Sequence, residues 1–496
     1  MSHKKGTDRN QCVLPLTIEE YVEAENPVRL IDEFVNGTNL AKLGFTRNEP
    51  KGTGAPSYEP ADMTKLLIYG YCNAIRASRK LERSCYNNLE VIWLIKNLKP
   101  DHSSIAAFRQ QNAAALKRIF REFTLLCVKW ELVKGDILVV DGTKMKANNS
   151  KKNNYSVKKL TGKIKAIDEK IEDYLSSPET ENETISNVAE KITALDSRRE
   201  KYEAYKEALE KSGNTQLSTT DSDARLMDNK QGSASVGFNI QATVEAENHI
   251  ALDVKVTNLP TDQNELSKMG RRAKYILNSK KITILADKGY YNGSDLEKCE
   301  KQEIIAIVPK QDPPKKSDDS FSAKDFKYDE DSNCYTCPTG NIIPCISEEK
   351  TKKPMYVNKE ACRNCAEKSK CTTNKRGYKQ IIHGEHFDVM RRADKLFSAN
   401  KADFRLRQQV IEHIFGTVKH YLGVPQVYLR TKKKVHAEVS LLFLAYNIKR
   451  VSNILGFSGL MAKLRERTAL YLSVFMHYLA IFAKMHKNLI YLSKFV

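Results

Sequence analysis

The chain has 496 residues, 81 Lys and Arg against 61 Asp and Glu (a formal charge of +20), and 41% hydrophobic residues. That length is enough for roughly two to four domains and at least one sizeable core, which excludes a broadly disordered chain. The positive excess favours a polyanionic partner, most simply the phosphate backbone of nucleic acid, over an anionic membrane surface.

The opening MSHKKGTDRN is polar with no apolar stretch behind it, so no secretory leader is expected. The segment Ala469–Ala483 is shorter than the roughly 20 residues needed to span a bilayer. It contains His477 and leads into Lys484 and Lys487, so it reads as a packed terminal helix. No membrane partner and a cytoplasmic location follow as expectations. In that compartment the eleven cysteines stay reduced, and clusters of them indicate metal rather than disulfides.

In chain order, residues 1–130 read as a compact helical region. Pro60 with Asp62 starts one helix, a second runs through Arg79 to Glu90, and a third begins near Ser103 as N-cap. Arg76, Arg79, Lys80, Arg83 and Arg109 make this region basic and suit contact with a DNA backbone. Ile137–Val140 is a short β-branched run, as in a strand buried on both faces, and it ends at Asp141. Val157, Leu160, Ile164, Ile167, Ile171 and Tyr174 then form a heptad seam, SSPETENET breaks it, and Ile185 to Leu209 carries a second, looser one. Two such helices read as an antiparallel hairpin inserted into another domain, a packing or dimerisation arm. VGFNIQATVE and IALDVKVTN predict a β-hairpin. Ile282–Ala286 is a further buried strand ending at Asp287, Ser294 with Glu297 reads as a capping box opening a helix, and IIAIV at 304–308 is a last short strand. This order describes a mixed sheet flanked by helices.

Asp141 and Asp287 each follow a buried strand, and ligands of open α/β sheets bind outside the carboxyl ends of strands. Alone, each is more often an ordinary turn aspartate. Glu412 sits among the apolar residues Val410, Ile411, Ile414, Phe415, Val418 and Leu422 of a later helix. Lys419 lies two turns on, near the same face. That pair reads equally as a structural ion pair. Three carboxylates on separate elements of one sheet are what two-metal phosphoryl transfer requires, with Mg²⁺ or Mn²⁺ as hard, oxygen-preferring ions. Separately, Cys334-Tyr-Thr-Cys337 and Cys362-Arg-Asn-Cys365 are two CxxC pairs, with Cys371 just beyond and Cys345 between. In a reduced compartment they indicate a four-coordinate structural Zn²⁺ site whose fourth ligand is open between Cys365 and Cys371. Free thiols in a small β-rich insertion are the alternative.

Several stretches, in order, carry a family resemblance. They include LPLTIEEYVEAENPVRLIDEFV, the run from PADMTKLLIYGYC to HSSIAAFR, VVDGTKMKANNSK, TTDSDARLM, ILADKGYYNG, CYTCPTGN, ACRNCAEKSKC, VIEHIFGTVKHYLG and AYNIKRVSNILG. From about Leu14 to about Ala462 the chain resembles bacterial insertion-sequence transposases of the DDE class, in the subgroup with a helical N-terminal domain and a cysteine-rich insertion. The resemblance implies an α/β fold with a ribonuclease-H-like mixed-sheet core, and Asp141, Asp287 and Glu412 as the Mg²⁺-binding triad. It also implies double-stranded DNA (element terminal repeats and target DNA) as substrate. Asp221, Asp223 and Arg225 fall in the TTDSDAR motif in a supporting role. Of the family's Tyr, Arg, Glu, Lys signature, Glu412 and Lys419 fit, whereas the first two places hold Arg405 and Gln408, with Arg407 one step away.

The expected organisation is a DNA-binding helical domain over 1–130 and a catalytic core over 131–150, 215–312 and 386–456. Into that core are set a helical hairpin at 151–214 and a cysteine-rich zinc insertion at 313–385, and a helical tail follows at 457–496. Asp141, Asp287, Glu412 and Lys419 are the expected catalytic residues; Cys334, Cys337, Cys362, Cys365 and Cys371 the zinc ligands; and Arg76, Arg79, Arg83, Arg109, Arg407 and Lys419 the DNA contacts. A homodimer on DNA, associated with the bacterial nucleoid, completes the expectation. The alternatives are a transposase-derived DNA-binding protein without activity, or a nuclease without strand transfer.

Overall fold

The computed structural model describes residues 17–46, 57–176, 185–228, 234–310, 320–322, 325–346, 353–372, 374–423 and 425–492, with side chains to residue 469 in the last helix. The amino-terminal helices are α1 (Val28–Asn36), α2 (Pro60–Cys72), α3 (Ser78–Asn87), α4 (Leu89–Leu94), α5 (His102–Gln111) and α6 (Ala113–Lys129). Next come β1 (Ile137–Lys146), β2 (Asn154–Tyr155), α7 (Val157–Ser176), α8 (Ile185–Ser212), β3 (Leu217–Ser218), β4 (Arg225–Met227), β5 (Ser235–Glu245) and β6 (Ala251–Thr257). α9 (Leu266–Leu277), β7 (Ile282–Ala286), α10 (Gly293–Lys301) and β8 (Ile304–Ile307) follow. The cysteine-rich stretch holds β9 (Lys327–Asp329), β10 (Cys334–Thr336), β11 (Ile342–Ile346), β12 (Met355–Val357), α11 (Lys359–Arg363), α12 (Lys368–Cys371) and β13 (Gln380–Ile382). The chain closes with α13 (Phe387–Ala399), α14 (Lys401–Phe404), α15 (Leu406–Gly416) and α16 (Lys432–Leu492), the last kinked at Gly456, where φ is 69°.

This is a mixed α/β architecture. The order β1, antiparallel β5 and β6, α9, β7, α10, β8 is that of the ribonuclease-H-like core expected from the sequence. The chain divides into two compact units, one of residues 1–134, 142–260 and 410–496, the other of residues 135–141 and 261–409.

In the first unit, α16 is the central element. Its early part, VHAEVSLLFLAYNI, is buried nearly all round, polar Glu438, Ser440 and Asn447 included, which marks a helix enclosed by other elements. It packs on α1, α2, α6 and β6. The amino-terminal helices, expected as a domain of their own, therefore share a core with α16. Buried Asn447 of α16 accepts a hydrogen bond from the Ala251 N–H (2.9 Å) and donates to the Ala251 carbonyl (2.8 Å), satisfying both backbone groups where β6 starts. β5 pairs antiparallel with β6 and β4, as the hairpin pattern predicted. The end of β1 meets the start of β5 through the Ala147 N–H to Val236 carbonyl bond (2.9 Å). A Cβ at Gly237 would collide there with the Met145 carbonyl oxygen. α7 and α8 pack together as the expected hairpin, with Tyr155, Leu160 and Leu209 as a small buried cluster; the SSPETENET break lies largely outside the described residues.

The TTDSDAR motif has a structural role in this unit. Asp221 is buried, and both its carboxylate oxygens accept the Thr431 N–H (3.1 and 3.2 Å), while Asp223 accepts the Lys432 N–H (2.8 Å). The two aspartates thus cap the N-terminus of α16, where backbone donors have no intrahelical partner and negative charge is favoured. Asp221→Ala should cost about 1–2 kcal/mol, seen as a lowered urea midpoint with an unchanged slope.

In the second unit, residues Ile137–Val140 of β1 pair parallel with Thr283–Ala286 of β7, and β7 pairs parallel with β8. α9 and α10 pack on these strands, and buried Asp295 of α10 accepts the Leu266 N–H (3.0 Å) and the Ser267 hydroxyl at the start of α9. The cysteine-rich stretch forms an antiparallel sheet in the order β13-β12-β11-β10-β9.

Several local expectations shift. The predicted Arg79–Glu90 helix is two helices, because Asn88 leaves α3 in an extended conformation and its side chain caps α4 at the Val91 N–H. Asp101 rather than Ser103 caps α5, and Asn292 rather than Ser294 caps α10, each side chain accepting the N–H three residues on. β1 does not stop at Val140 but continues through Asp141 to Lys146. Among the described residues no helix is long and apolar enough to cross a membrane; the side chains of nearly all of Ala469–Ala483 lie outside those described.

Candidate active site

The parallel register sets the site. Val140 is the last β1 residue paired with β7, opposite Ala286, so Asp141 and Asp287 are the next positions on two adjacent strands, which lie about 4.8 Å apart. Past Ala286 the chain turns into a short 3-10 segment, and Asp287 caps it, its Oδ1 accepting the Gly289 N–H at 2.7 Å. Arg407 of α15 lies against both aspartates, its Nη2 3.1 Å from Asp141 Oδ2 and 3.6 Å from Asp287 Oδ2. The three side chains are only 13–26% exposed. One guanidinium thus spans two carboxylates, one within β1 and one just past the end of β7, an arrangement that holds positive charge.

A third carboxylate faces the same place. A Cβ built on Gly289 would stand 2.9 Å from Asp287 Oδ1 and 3.6 Å from Asp262 Oδ2, so both acids border the glycine. Beneath them Tyr290 is fully buried, its phenol held well above the usual range first by burial and then by the charges of Asp262, Asp141 and Asp287. Asp262 was not singled out from the sequence. It lies in the polar loop PTDQNE, where a lone aspartate looks like any turn residue.

Glu412 follows Arg407 by five residues on α15, at a position belonging to the first unit. There it is exposed between the buried Val410–Ile411 and Ile414–Phe415, not set within the apolar face. The single helix expected through Glu412 and Lys419 is interrupted: α15 ends at Gly416 and Lys419 falls in the π turn Thr417–Tyr421.

Two of the expected DNA contacts are interior residues instead. Arg76 is 5% exposed and donates to the Gly423 carbonyl (3.1 Å), the Gln426 carbonyl (3.0 Å) and Glu438 (3.4 Å). Arg109 is 6% exposed and donates to the Arg76 carbonyl at 3.0 Å. Arg79, Lys80 and Arg83 of α3 are exposed.

Of the cysteines, Cys337, Cys362, Cys365 and Cys371 border one cavity, which Cys334 does not reach. Among the described residues, no group of three or more His, Cys, Asp or Glu side chains is arranged to hold a metal ion.

Comparison with known families places these elements. A family model described as "Transposase domain (DUF772)" matches residues 16–111, and one described as "Transposase DDE domain" matches residues 336–452. Over these two stretches the chain carries transposase domains, the second of the DDE type. The first match spans α1 to α5, and the second runs from β10 through Glu412 into α16, whereas Asp141 and Asp287 lie between the two matched stretches. A solved structure of the piggyBac transposase synaptic complex with hairpin DNA is similar to the chain at 10% identity, over 92% of this chain and 82% of that one, with a TM-score of 0.32. No curated protein matches the chain.

Proposed function

We propose that this chain is a DDE transposase that cuts DNA at the ends of a mobile element and joins the freed 3′ hydroxyls to target DNA. The observation that carries the reading is the convergence of Asp141 and Asp287 on one cation, the Arg407 guanidinium, where the parallel β1–β7 pairing ends. The residues fit a divalent metal: the donors are hard carboxylate oxygens already gathered around positive charge, and side-chain-free Gly289 leaves room beside Asp287 and Asp262. Asp141 and Asp287 would hold Mg²⁺ or Mn²⁺, with Asp262 bordering the site and Glu412 as the third member of the triad. When bound, such ions activate the attacking water or 3′ hydroxyl and stabilise the leaving oxygen.

The chain's own residues supply the rest. The β1–β7 register fixes the spacing of the two aspartates, and the buried floor at Tyr290 limits water from below. Arg407, once the carboxylates engage another cation, is placed to take up a non-bridging phosphate oxygen in bidentate fashion. Exposed Arg79, Lys80 and Arg83 on α3, with Lys419, are the DNA-backbone contacts in this reading. Pairing two element ends calls for two protomers, hence a homodimer on DNA.

The test is a supercoiled plasmid carrying the element ends, incubated with the wild-type protein and with Glu412→Gln, in Mg²⁺ or in chelator. Nicks at the ends and joined products that require Mg²⁺ and fall at least about 100-fold in the variant are expected. Binding without any Mg²⁺-dependent cleavage by wild type would leave a DNA-binding protein, and cleavage without joining a nuclease.

A further inference from the structure

The cysteines of the insertion fall into two groups. Cys337, Cys362, Cys365 and Cys371 line one small cavity of about 30 Å³, room for a single atom-sized occupant. Cys334 is elsewhere, its Sγ 2.9 Å from the Ser332 hydroxyl, and Cys345 packs on the aromatic core of the insertion.

Three segments bring the four thiols together, each fixed by backbone bonds. Cys337 opens the turn between β10 and β11, where its carbonyl accepts the Gly340 N–H (2.9 Å) and its N–H donates to the Asn341 carbonyl (2.9 Å). Gly340 takes the left-handed conformation, φ 84°, that the turn requires. Asn358 ties the second segment to this hairpin. Its side chain caps α11 at the Ala361 N–H (3.0 Å) and donates to the Ile342 carbonyl of β11 (2.8 Å), which places Cys362 and Cys365 beside the turn. Cys371 ends α12, whose Lys370 carbonyl accepts the Phe321 N–H (2.9 Å). Among the described residues the cavity wall contains no carboxylate and no imidazole, but it does contain Lys368 and Lys379.

We propose that this cavity is a structural Zn²⁺ site whose ligands are the thiolates of Cys337, Cys362, Cys365 and Cys371. Four thiolates satisfy the tetrahedral preference of a closed zinc site. The resulting negative centre is offset by the two lysines. The cavity wall becomes a coordination sphere by rotation of the cysteine side chains, each about one freely chosen χ1. A second observation shows why the insertion needs such a staple: among the described residues its core is small, the cluster of Phe326, Tyr335, Ile343 and Tyr356 with Met355 and Val357 also buried, little for a short-stranded sheet to be stable alone. The site is independent of the aspartate pair, so failure of one reading leaves the other standing.

Full-length protein should carry one zinc per chain by mass spectrometry. Its zinc X-ray absorption edge should show four sulfur neighbours at about 2.3 Å. Cys337→Ser and Cys365→Ser should lower zinc content at least about tenfold, while Cys334→Ser, Cys345→Ser and Asp287→Ala keep it. Because a serine variant can lose the fold of the insertion along with the metal, the absorption spectrum of the unmutated protein decides. A mixed nitrogen or oxygen shell, zinc-free protein with all these thiols open to alkylation, or Cys334→Ser as damaging as Cys337→Ser would each overturn the proposal.

Discussion

Asp141→Ala and Asp287→Ala are each expected to reduce cleavage of element ends by about 1,000-fold or more, equivalent to at least about 4 kcal/mol of transition-state stabilisation, with folding intact. The reason lies in what these side chains do in the folded protein. Arg407 is placed between two carboxylates, so this group carries more negative than positive charge, with Asp262 bordering it. Removing one aspartate relieves like-charge repulsion and leaves the guanidinium its other partner. The melting temperature should therefore stay level or rise slightly, as at sites where local strain serves function. A structural ion pair behaves in the opposite way, losing stability when one partner is removed. The pairing of plasmid cleavage with calorimetry on the same two variants separates the cases. If the melting temperature falls by several degrees and cleavage persists, the aspartates are structural and the catalytic reading fails.

The second large effect is on stability. Glu438 of α16 is fully buried and accepts the Tyr428 N–H (2.9 Å) and the Leu429 N–H (2.8 Å), with Arg76 at 3.4 Å. Burial pushes its carboxyl above the usual range, while those N–H donors and the Arg109 and Arg76 charges pull it back. Glu438→Ala removes the acceptor and leaves two backbone donors and a guanidinium in the interior. A loss of about 3–5 kcal/mol is expected, larger than the cost of losing an exposed pair. Arg76→Ala should be comparable, since it also strips the Gly423 and Gln426 carbonyls of their donor. Because both changes break one network, the double variant should lose about 1–3 kcal/mol less than the sum of the singles in urea unfolding. Additive losses would show that the two residues act separately.

This network explains one sequence expectation that failed. Arg76 and Arg109 sit in a stretch as basic as that of Arg79 and Arg83, and composition cannot distinguish an arginine that faces solvent from one that bonds loop carbonyls some 350 positions away in the chain. The difference is made by the partner, and the partner is remote in sequence. Asp262 escaped notice for the same reason, as only folding brings its loop to Gly289 and Asp287. The helix expected to run unbroken through Glu412 and Lys419 differs on a local matter: a periodicity argument assumes one continuous helix, and a π turn follows Gly416.

By itself the sequence determined what depends on short-range pattern. The β-branched runs ending at Asp141 and Asp287, the hairpin of β5 and β6, the paired helices α7 and α8 and the spacing of the cysteines all follow from local periodicity and residue chemistry, as does the excess of positive charge. The tertiary structure alone decided which of those residues meet. It set the β1–β7 register that aligns the two aspartates, lodged Arg407 between them and turned TTDSDAR into a cap for α16. It also divided the cysteines into four that share a cavity and two that do not. The physical reason is that contacts between distant segments are set by how whole elements pack and pair, and no window of sequence contains both sides of such a contact.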